Sequence, residues 1–333
     1  MKVLLTGGSG FIAAHCVDYL LQRGHDVVFT VRSDEKGHKI LKNHPGTPSS
    51  RLSYVIVGDI AQEGAFDEAV KSDPPFEAVL HTASPFHYNV TDPKRDLLDP
   101  AIIGTTGILK AVKKSAPSVK RIVITSSFAA ILNAAKHEKV YSEANWNPIT
   151  WEEATKNPAY AYRASKTFAE KAAWEFVEKE KPNFDLATIN PPLVLGPVVH
   201  YLNSLDSINT SNERVRNMIQ GKLRGGLSPS GVYIWVDVRD VALAHVKAIE
   251  LPEAGGKRFL VTAGHVSNAA IANAIKTQFP NLADNLPAEI KSDMPADVYG
   301  YDNSRSKTVL GLEYRTLDDS VRDTVNSLLA VGA

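Results

Sequence analysis

The chain has 333 residues, which is enough to bury a large core in one domain or in two lobes. Its 37 basic and 37 acidic residues balance, which argues against a nucleic-acid partner and against binding to an anionic membrane surface. The single cysteine, Cys16, excludes an internal disulfide and favours a reducing, cytoplasmic compartment.

The pattern of residues disfavours three further features. Every long apolar stretch is interrupted by charged, polar or proline residues before it reaches about 18 residues, so we expect no membrane-spanning helix. The chain enters a predicted strand at once, so we expect no signal peptide. The histidines show no metal-ligand spacing and only one cysteine is present, so we predict no metal site.

Strands and helices alternate through the first half of the chain. The predicted strands cover residues 3–6, 27–31, 52–57, 78–82, 121–125 and 185–189. The predicted helices cover residues 11–22, 66–70, 101–114 and 161–178. This rhythm is typical of an α/β fold in which helices cover both faces of a doubly wound parallel sheet.

The rhythm breaks at Pro191-Pro192, because two prolines interrupt any regular element. Beyond them the predicted strands cover residues 232–236 and 258–262, and the predicted helices cover 212–220, 269–278 and 317–329, with another after Asp240. We therefore predict a sheet domain over residues 1–190 and a smaller, mainly substrate-binding lobe over residues 191–333. Strands around residues 232–250 are expected to return to the first domain.

The first predicted strand runs directly into a glycine-rich turn and a helix. The turn fits two spacings of a dinucleotide-binding motif, Gly7-x-x-Gly10-x-x-Ala13 and Gly8-x-Gly10-x-x-Ala13. In that motif the glycines let the backbone approach a pyrophosphate, which lies on the helix N-terminus. A purely structural turn is the alternative, but the flanking elements favour nucleotide binding. The predicted contacts are Gly7, Gly8, Ser9, Gly10, Phe11 and Ile12.

The second predicted strand ends beside Arg32, where NAD-binding proteins carry an acidic residue for the ribose. A guanidinium at this position pairs with a 2′-phosphate, and Lys36 follows one helical turn later. We therefore predict a Rossmann-type sheet that binds NADPH/NADP⁺, with a solvated arginine as the alternative. Asp59 and Ile60, just past the third strand, are placed beside the adenine, or Asp59 serves only as a turn residue.

Three residues have the chemistry of a hydride-transfer site. Tyr162 and Lys166 are four positions apart, which places them on one face of the predicted helix. The Lys166 ammonium is expected to lower the pKa of the phenol, so that Tyr162 acts as general acid and base. Ser127, at the end of a strand, would polarise the carbonyl group. Tyr160 precedes Lys166 by six residues, lies on another helix face and is the weaker candidate.

The order Thr-Gly-Gly-Ser-Gly-Phe-Ile-Ala, then Thr-Ser-Ser, then Tyr-x-x-x-Lys resembles that of the extended short-chain dehydrogenase/reductases. The chain is more closely similar to fungal NADPH-dependent aldehyde and ketone reductases of the methylglyoxal (3-methylbutanal) reductase type. Dihydroflavonol 4-reductase and cinnamoyl-CoA reductase are the plant relatives of that group. Matching stretches at residues 81–85, 141–148, 151–154, 190–197 and 209–211 extend the resemblance over essentially the whole chain.

The resemblance implies that Ser127, Tyr162 and Lys166 carry catalysis. It also implies cofactor contacts from Arg32, Lys36, Asp59, Ile60, Thr82, Ala83, Ser84, Tyr162, Lys166, Pro192, Val194 and Ser211. Two departures weaken an assignment to the plant enzymes. Leu132 replaces the asparagine that helps to hold the flavonoid, and residues 157–161 lack the Asn-Trp-Tyr-Cys-Tyr signature.

An apolar substrate pocket beside the nicotinamide is assigned to Phe86, Phe128 and Ile131, with Tyr201 and Trp235 as further candidates. Core packing explains Trp235 equally well. The predicted function is an NADPH-dependent carbonyl reductase that converts aldehydes, α-dicarbonyls or ketones to alcohols. The alternatives are a nucleotide-sugar epimerase or dehydratase and a non-catalytic NADP(H) sensor. The expected partner is a small carbonyl substrate, and the chain is expected to be a monomer or a homodimer.

Overall fold

A computed structural model describes residues 1–84, 91–199, 205 and 208–333. The strands, in chain order, are β1 (Lys2–Thr6), β2 (Asp26–Val31), β3 (Leu52–Ile56), β4 (Ala78–His81), β5 (Arg121–Thr125), β6 (Val140–Tyr141), β7 (Asp185–Asn190), β8 (Leu193–Leu195), β9 (Ile234–Asp237), β10 (Lys257–Leu260), β11 (Gly264–His265) and β12 (Gly300–Tyr301). The helices are α1 (Phe11–Gln22), α2 (Asp34–Lys42), α3 (Asp99–Ser115), α4 (Trp151–Lys156), α5 (Ala161–Glu180), α6 (Thr210–Ile219), α7 (Val238–Glu250), α8 (Asn268–Gln278), α9 (Ser304–Thr308) and α10 (Leu317–Ala330).

A seven-stranded sheet in the order β10-β7-β5-β4-β1-β2-β3 forms the centre of the structure. Every pairing between these strands is parallel. β1 lies between two neighbours, so that Leu4 pairs with Val28 on one side and Val79 on the other. The carboxyl ends of parallel strands lie along one edge, where ligands bind in sheets of this kind. The predicted doubly wound α/β fold is confirmed.

Separate hydrophobic cores cover the two faces of this sheet. Val3 and Leu5 point into the core shared with α1 and α7, whereas Leu4 points into the core shared with α3 and α5. This alternation follows from the two-residue period of a strand. All three side chains are fully buried, which explains why the central strands have continuous apolar sequences.

The predicted helix over residues 66–70 is wrong, because this segment forms turns. Phe66 and Val70 are both buried, and their four-residue separation imitates one face of a helix. The bond from Val70 N to Phe66 O (3.1 Å) is helical, but Lys71 N bonds Glu68 O (3.1 Å), so no regular ladder develops. The apolar spacing here reflects packing against the core beside α3 rather than a helix.

The sequence does not predict α2, which follows β2 directly. The apolar stripe of this helix is short, limited to Gly37, Ile40 and Leu41, and charged or polar residues make up the rest of its nine residues. Its charges are nonetheless arranged as a helix favours, with Asp34 and Glu35 in the first turn and basic residues in the last.

A second, three-stranded sheet in the order β11-β9-β8 lies in the C-terminal part of the chain. The strand expected to return to the main sheet around residues 232–250 is β9, and it pairs instead with β8 and β11. Trp235 of this strand packs into a third core with α6, α8 and α10, which holds β9 away from the main sheet. The strand that does return is β10, which pairs with β7.

No helix in the described ranges has the length and apolar character needed to cross a membrane. Within the part of the chain that the structure describes, no group of three or more His, Cys, Asp or Glu residues is placed to hold a metal ion. Cys16 is fully buried in the core beneath α1 and forms no disulfide.

Candidate active site

The glycine turn after β1 is held tightly against its neighbours. Gly7 N donates to Thr30 Oγ1 (3.0 Å), and Gly10 N donates to Gly7 O (2.9 Å). Gly7 has φ +76°, and a Cβ there would lie 2.9 Å from Ala83 Cα. A side chain is therefore excluded twice, by backbone conformation and by contact with the segment after β4. Gly10 precedes α1, and no side chain caps that helix N-terminus.

These features fit a dinucleotide, because an uncapped helix N-terminus and a turn without side chains admit a pyrophosphate. A cavity of about 260 Å³, which we call the cofactor cavity, opens beside this turn. Its lining residues are Gly10, Phe11, Ile12, Ala13, Thr82, Thr125, Ser126, Ser127, Tyr162, Lys166, Pro191, Pro192, Val194, Asn209, Thr210 and Ser211. The structure thus brings Ser127, Tyr162 and Lys166 together at the cavity that begins at the glycine turn.

Nine of the predicted cofactor residues lie outside this cavity lining: Gly7, Gly8 and Ser9 of the glycine turn, Ala83 and Ser84 after β4, and Arg32, Lys36, Asp59 and Ile60. Arg32 is exposed immediately after β2, and Lys36 lies in the first turn of α2. Asp59 Oδ1 accepts from Ala61 N (2.9 Å), the geometry of a turn residue. Ile60 packs over Gly104 of α3, where a Cβ would lie 3.1 Å from Ile60 Cδ1. Arg32, Lys36, Asp59 and Ile60 follow β2 and β3, the two strands that extend the sheet from β1 to its edge.

The segment after β4 joins the glycine turn to the lysine on α5. Thr82 Oγ1 donates to Thr6 O (2.6 Å), and Ala83 N donates to Thr6 Oγ1 (3.2 Å). Lys166 Nζ donates to Ser84 Oγ (3.2 Å). The predicted residues 82–84 therefore connect the first turn with the centre of the site.

Ser127 follows β5 and is 9% exposed. Its Oγ accepts from Ala129 N (3.1 Å), which starts a single 3₁₀ turn over Phe128–Ala130. Its carbonyl oxygen accepts from Asn190 Nδ2 (3.3 Å) at the end of β7. These two bonds fix the serine from both sides, in the backbone and in the side chain.

Tyr162 and Lys166 lie on the first two turns of α5, with Tyr162 38% exposed. Tyr160 belongs to the preceding 3₁₀ turn, Pro158–Tyr160, and lines neither this cavity nor the one described below. Burial lowers the pKa of Lys166 to about 8, although the Glu170 carboxylate opposes that shift. A lysine with this pKa changes its charge close to physiological pH.

A buried polar network centred on Glu170 was not foreseen from the sequence. Arg258 Nε donates to Glu170 Oε1 (2.6 Å), and the carboxylate is fully buried. Further donors to this carboxylate are Ser126 Oγ (2.5 Å), Asn190 Nδ2 (2.7 Å), Thr188 Oγ1 (3.0 Å) and Trp174 Nε1 (3.2 Å). The network ties α5 to the ends of β5 and β7, next to Ser127. Its one signal in the sequence is the repeat of Tyr162, Lys166 and Glu170 at four-residue intervals.

A second cavity of about 570 Å³, which we call the substrate cavity, adjoins the first. It is lined by Leu97, Ser127, Phe128, Ala129, Leu132, Pro158, Tyr162, Arg163, Pro192, Leu193, Thr210, Ser211, Arg214 and Val232. Both cavities share Ser127 and Tyr162, so a carbonyl group in one lies beside the other.

The predicted substrate residues have different positions. Phe128 lines the substrate cavity. Ile131 does not, because its side chain is fully buried in a cluster with Tyr141 and Tyr299, and its neighbour Leu132, which belongs to the same cluster, lines the cavity instead. Phe86 and Tyr201 lie outside the described residues.

A parallel sheet with a glycine turn after its first strand and a Ser, Tyr and Lys set at its carboxyl edge defines a dinucleotide-dependent protein of the short-chain dehydrogenase/reductase type. The model of the NAD dependent epimerase/dehydratase family matches residues 3–264. The chain belongs to this family, and its resemblance to the extended short-chain dehydrogenase/reductases is confirmed.

Individual relatives match over nearly their full length. Ketoreductase azaE of Aspergillus niger is 51% identical over 330 residues, covering 98% of this chain and 97% of that protein. The NADPH-dependent methylglyoxal reductase GRE2 of Saccharomyces cerevisiae is 38% identical over 346 residues, covering 99% and 98%. The crystal structure of yeast methylglyoxal/isovaleraldehyde reductase Gre2 complexed with NADPH superposes with a TM-score of 0.91 at 36% identity, covering 99% of this chain and 98% of that one.

Proposed function

We propose that this protein is an NADPH-dependent carbonyl reductase that converts aldehydes, α-dicarbonyls or ketones to alcohols. The observation that carries the proposal is the meeting of Ser127, Tyr162 and Lys166 where the cofactor cavity joins the substrate cavity. The relatives support it, because those named above are a ketoreductase and NADPH-dependent aldehyde reductases.

Each residue of the site has a separate role in the reduction. NADPH, when bound, supplies a hydride from C4 of its nicotinamide. Ser127 Oγ accepts from Ala129 N, which leaves its own hydrogen available to the carbonyl oxygen. Tyr162 donates the proton that turns this oxygen into a hydroxyl group, and the Lys166 ammonium stabilises the phenolate left behind.

The rate of reduction at saturating NADPH is expected to fall as the pH rises through about 8, where Lys166 loses its proton. The phenolate then loses its neighbouring positive charge, so proton donation from Tyr162 becomes less favourable. A pH profile of kcat measures this directly. In Lys166→Arg the guanidinium stays charged, and the activity that remains should show no such fall. A wild-type profile that stays flat across this range would contradict the role of the lysine.

The choice of NADPH over NADH is assigned to Arg32, with Lys36 in support. Replacing Arg32 by alanine is expected to weaken NADPH binding about 10- to 100-fold, the value of a charged hydrogen bond, and to leave NADH binding unchanged. Lys42→Ala removes an exposed charge from the other end of α2 and is the matched control. Equal losses of NADPH affinity in both variants would show that general charge, rather than Arg32, provides the selectivity.

The experiment that tests the function is the loss of NADPH absorbance with methylglyoxal, 3-methylbutanal, a β-keto ester and dihydroquercetin, with NADH in parallel. The proposal predicts rapid, NADPH-dependent loss with the small carbonyls. Purified protein that already holds tightly bound NAD would instead favour an epimerase. NADPH binding without turnover on any carbonyl would favour a sensor.

We also propose roles for the two parts of the chain, a compartment and an oligomeric state. Residues 1–190 are assigned to cofactor binding and residues 191–333 mainly to the substrate, in keeping with the separate core formed by α6, α8 and α10. The balanced charge and the single cysteine favour a cytoplasmic protein that acts on a small molecule, as a monomer or a homodimer.

A further inference from the structure

The substrate cavity carries two arginines and no acidic residue among its described lining. Arg163 follows Tyr162 directly on α5, and Arg214 lies on α6; both line the same cavity as Ser127. Neither arginine forms an ion pair with a carboxylate of the described residues. The wall that faces the reacting carbonyl group is therefore positively charged.

A hydrogen bond holds the Arg214 side chain in place, but one of its buried donor groups has no partner among the described residues. Its Nη1 donates to Asn268 Oδ1 (2.8 Å), whereas its buried Nε has no hydrogen-bond partner among the residues that the structure describes. Asn268 is itself fixed, because its Nδ2 donates to Ser228 O (2.9 Å) and its N donates to Ser230 Oγ (2.8 Å). The guanidinium is thus oriented by a fixed neighbour, and its bond to Asn268 is the one side-chain hydrogen bond that it forms with the described residues.

Asp293 is the acidic residue whose charge raises the pKa of Arg214, and its carboxylate already accepts hydrogen bonds from Ser230. Asp293 Oδ1 accepts from Ser230 Oγ (2.6 Å) and Asp293 Oδ2 accepts from Ser230 N (2.6 Å). Burial lowers the pKa of Arg214 from its ordinary value, and this effect exceeds the opposing effect of the Asp293 charge. The guanidinium nevertheless stays protonated, as arginine does in proteins. The positive charge therefore persists in the cavity without an ion pair to any carboxylate in the described part of the chain.

A partly buried cation without an ion pair is costly, and Phe128, Leu132 and Leu193 give this cavity apolar walls. The partner that best suits a planar guanidinium is a carboxylate, which accepts two parallel bonds. The cofactor is a poor candidate for that partner, because Arg214 lines the substrate cavity and not the cofactor cavity.

We propose that the physiological substrate carries a carboxylate in addition to its carbonyl group, and that Arg214 binds this carboxylate. This inference rests on the proposed reductase function. The substrate is then an oxo acid and the product a hydroxy acid. The hydride forms a C–H bond at the carbonyl carbon, the π pair of the C=O bond moves to oxygen, and Tyr162 protonates that oxygen. NADPH is oxidised to NADP⁺, and the carboxylate is unchanged.

The first test compares oxo acids with their own methyl esters, using 4-oxobutanoate, 4-oxopentanoate, 5-oxohexanoate and benzoylformate as the acids. The acid that fits the cavity should be reduced with a kcat/KM at least about 10-fold above that of its ester, the value of one charged hydrogen bond. In Arg214→Met this ratio should fall to about 1. Arg224→Met removes the same charge from an exposed position after α6 and should keep the wild-type ratio.

The second test needs no turnover. Calorimetry with the hydroxy acid that corresponds to the best oxo acid should show binding to the NADP⁺-loaded protein, weaker by at least about 10-fold in Arg214→Met. If that variant does not fold, Arg214→Lys, which keeps the charge without the planar fork, should show an intermediate loss.

The proposal would be overturned if the wild-type protein reduced every ester with a kcat/KM equal to or above that of its acid. It would also be overturned if the higher kcat/KM for an acid persisted in Arg214→Met. Reduction of the esters with NADPH would in that case leave the reductase function standing. If no compound is reduced, the reductase function fails. Calorimetry with the four oxo acids and their esters then decides whether Arg214 holds a carboxylate, because binding of an acid that is no tighter than that of its ester, or that is unchanged in Arg214→Met, would overturn the proposal.

Discussion

Replacing Tyr162 by phenylalanine is expected to lower kcat for carbonyl reduction by about 10²–10⁴-fold, the usual contribution of a positioned general acid. The phenol is the group that both cavities share with Ser127, and it stands one helical turn before Lys166. Phenylalanine keeps the aromatic ring and therefore its packing. Tyr162 is partly exposed on the first turn of α5, so loss of the hydroxyl group leaves no buried gap. Only the proton donor is removed.

The measurement pairs steady-state turnover with the Kd for NADPH, which should change little. Tyr160→Phe is the matched control, since this tyrosine is comparably exposed at 41% and lines neither cavity. Its turnover should remain close to that of the wild-type protein. Turnover of Tyr162→Phe within a few-fold of wild type would show that another group supplies the proton.

The largest expected effect on stability comes from Arg258. Replacing Arg258 by methionine removes the cation that pairs with Glu170 and leaves a fully buried carboxylate without its counter-ion. Breaking a buried pair in this way is expected to lower the free energy of unfolding by about 3–5 kcal/mol. Stacking is lost as well, because the Arg258 guanidinium carbon lies 3.6 Å from the centre of the Trp146 ring.

Denaturant unfolding measures this loss. Arg322→Met is the control, because its ion pair with Asp319 is about half exposed, and removing an exposed pair costs about 0–1 kcal/mol. Adding Glu170→Gln to Arg258→Met removes the stranded charge and should recover part of the lost free energy. Equal losses from Arg258→Met and Arg322→Met would mean that the buried pair is not a main support of the site.

The main features of the site follow from local spacing and are therefore visible in the sequence. The glycine turn needs only seven residues between a strand and a helix, and the Tyr162 and Lys166 pair needs one helical turn. The parallel sheet then brings these separate motifs to one edge, as strands interleaved with helices predict.

Other features depend on contacts between distant residues, for which the sequence has no period. Glu170 and Arg258 are 88 positions apart, and Arg214 and Asn268 are 54 apart. Ile131 is fully buried whereas the adjacent Leu132 lines the substrate cavity, and the local sequence does not show which of two adjacent apolar side chains faces a cavity. The position of β10 rather than β9 in the main sheet is a feature of the same kind, since both strands have only four residues and their pairing partners are distant in the sequence.

The account depends most directly on hydride transfer from NADPH to a carbonyl carbon. We would incubate the protein with NADPH deuterated at C4 of the nicotinamide and 3-methylbutanal, and examine the product by mass spectrometry. A single deuterium on the alcohol carbon is expected with the cofactor labelled on one face of the ring, and none when the other face is labelled. Alcohol that forms without deuterium from either cofactor, or no alcohol despite bound NADPH, would contradict the assignment of this protein as a carbonyl reductase.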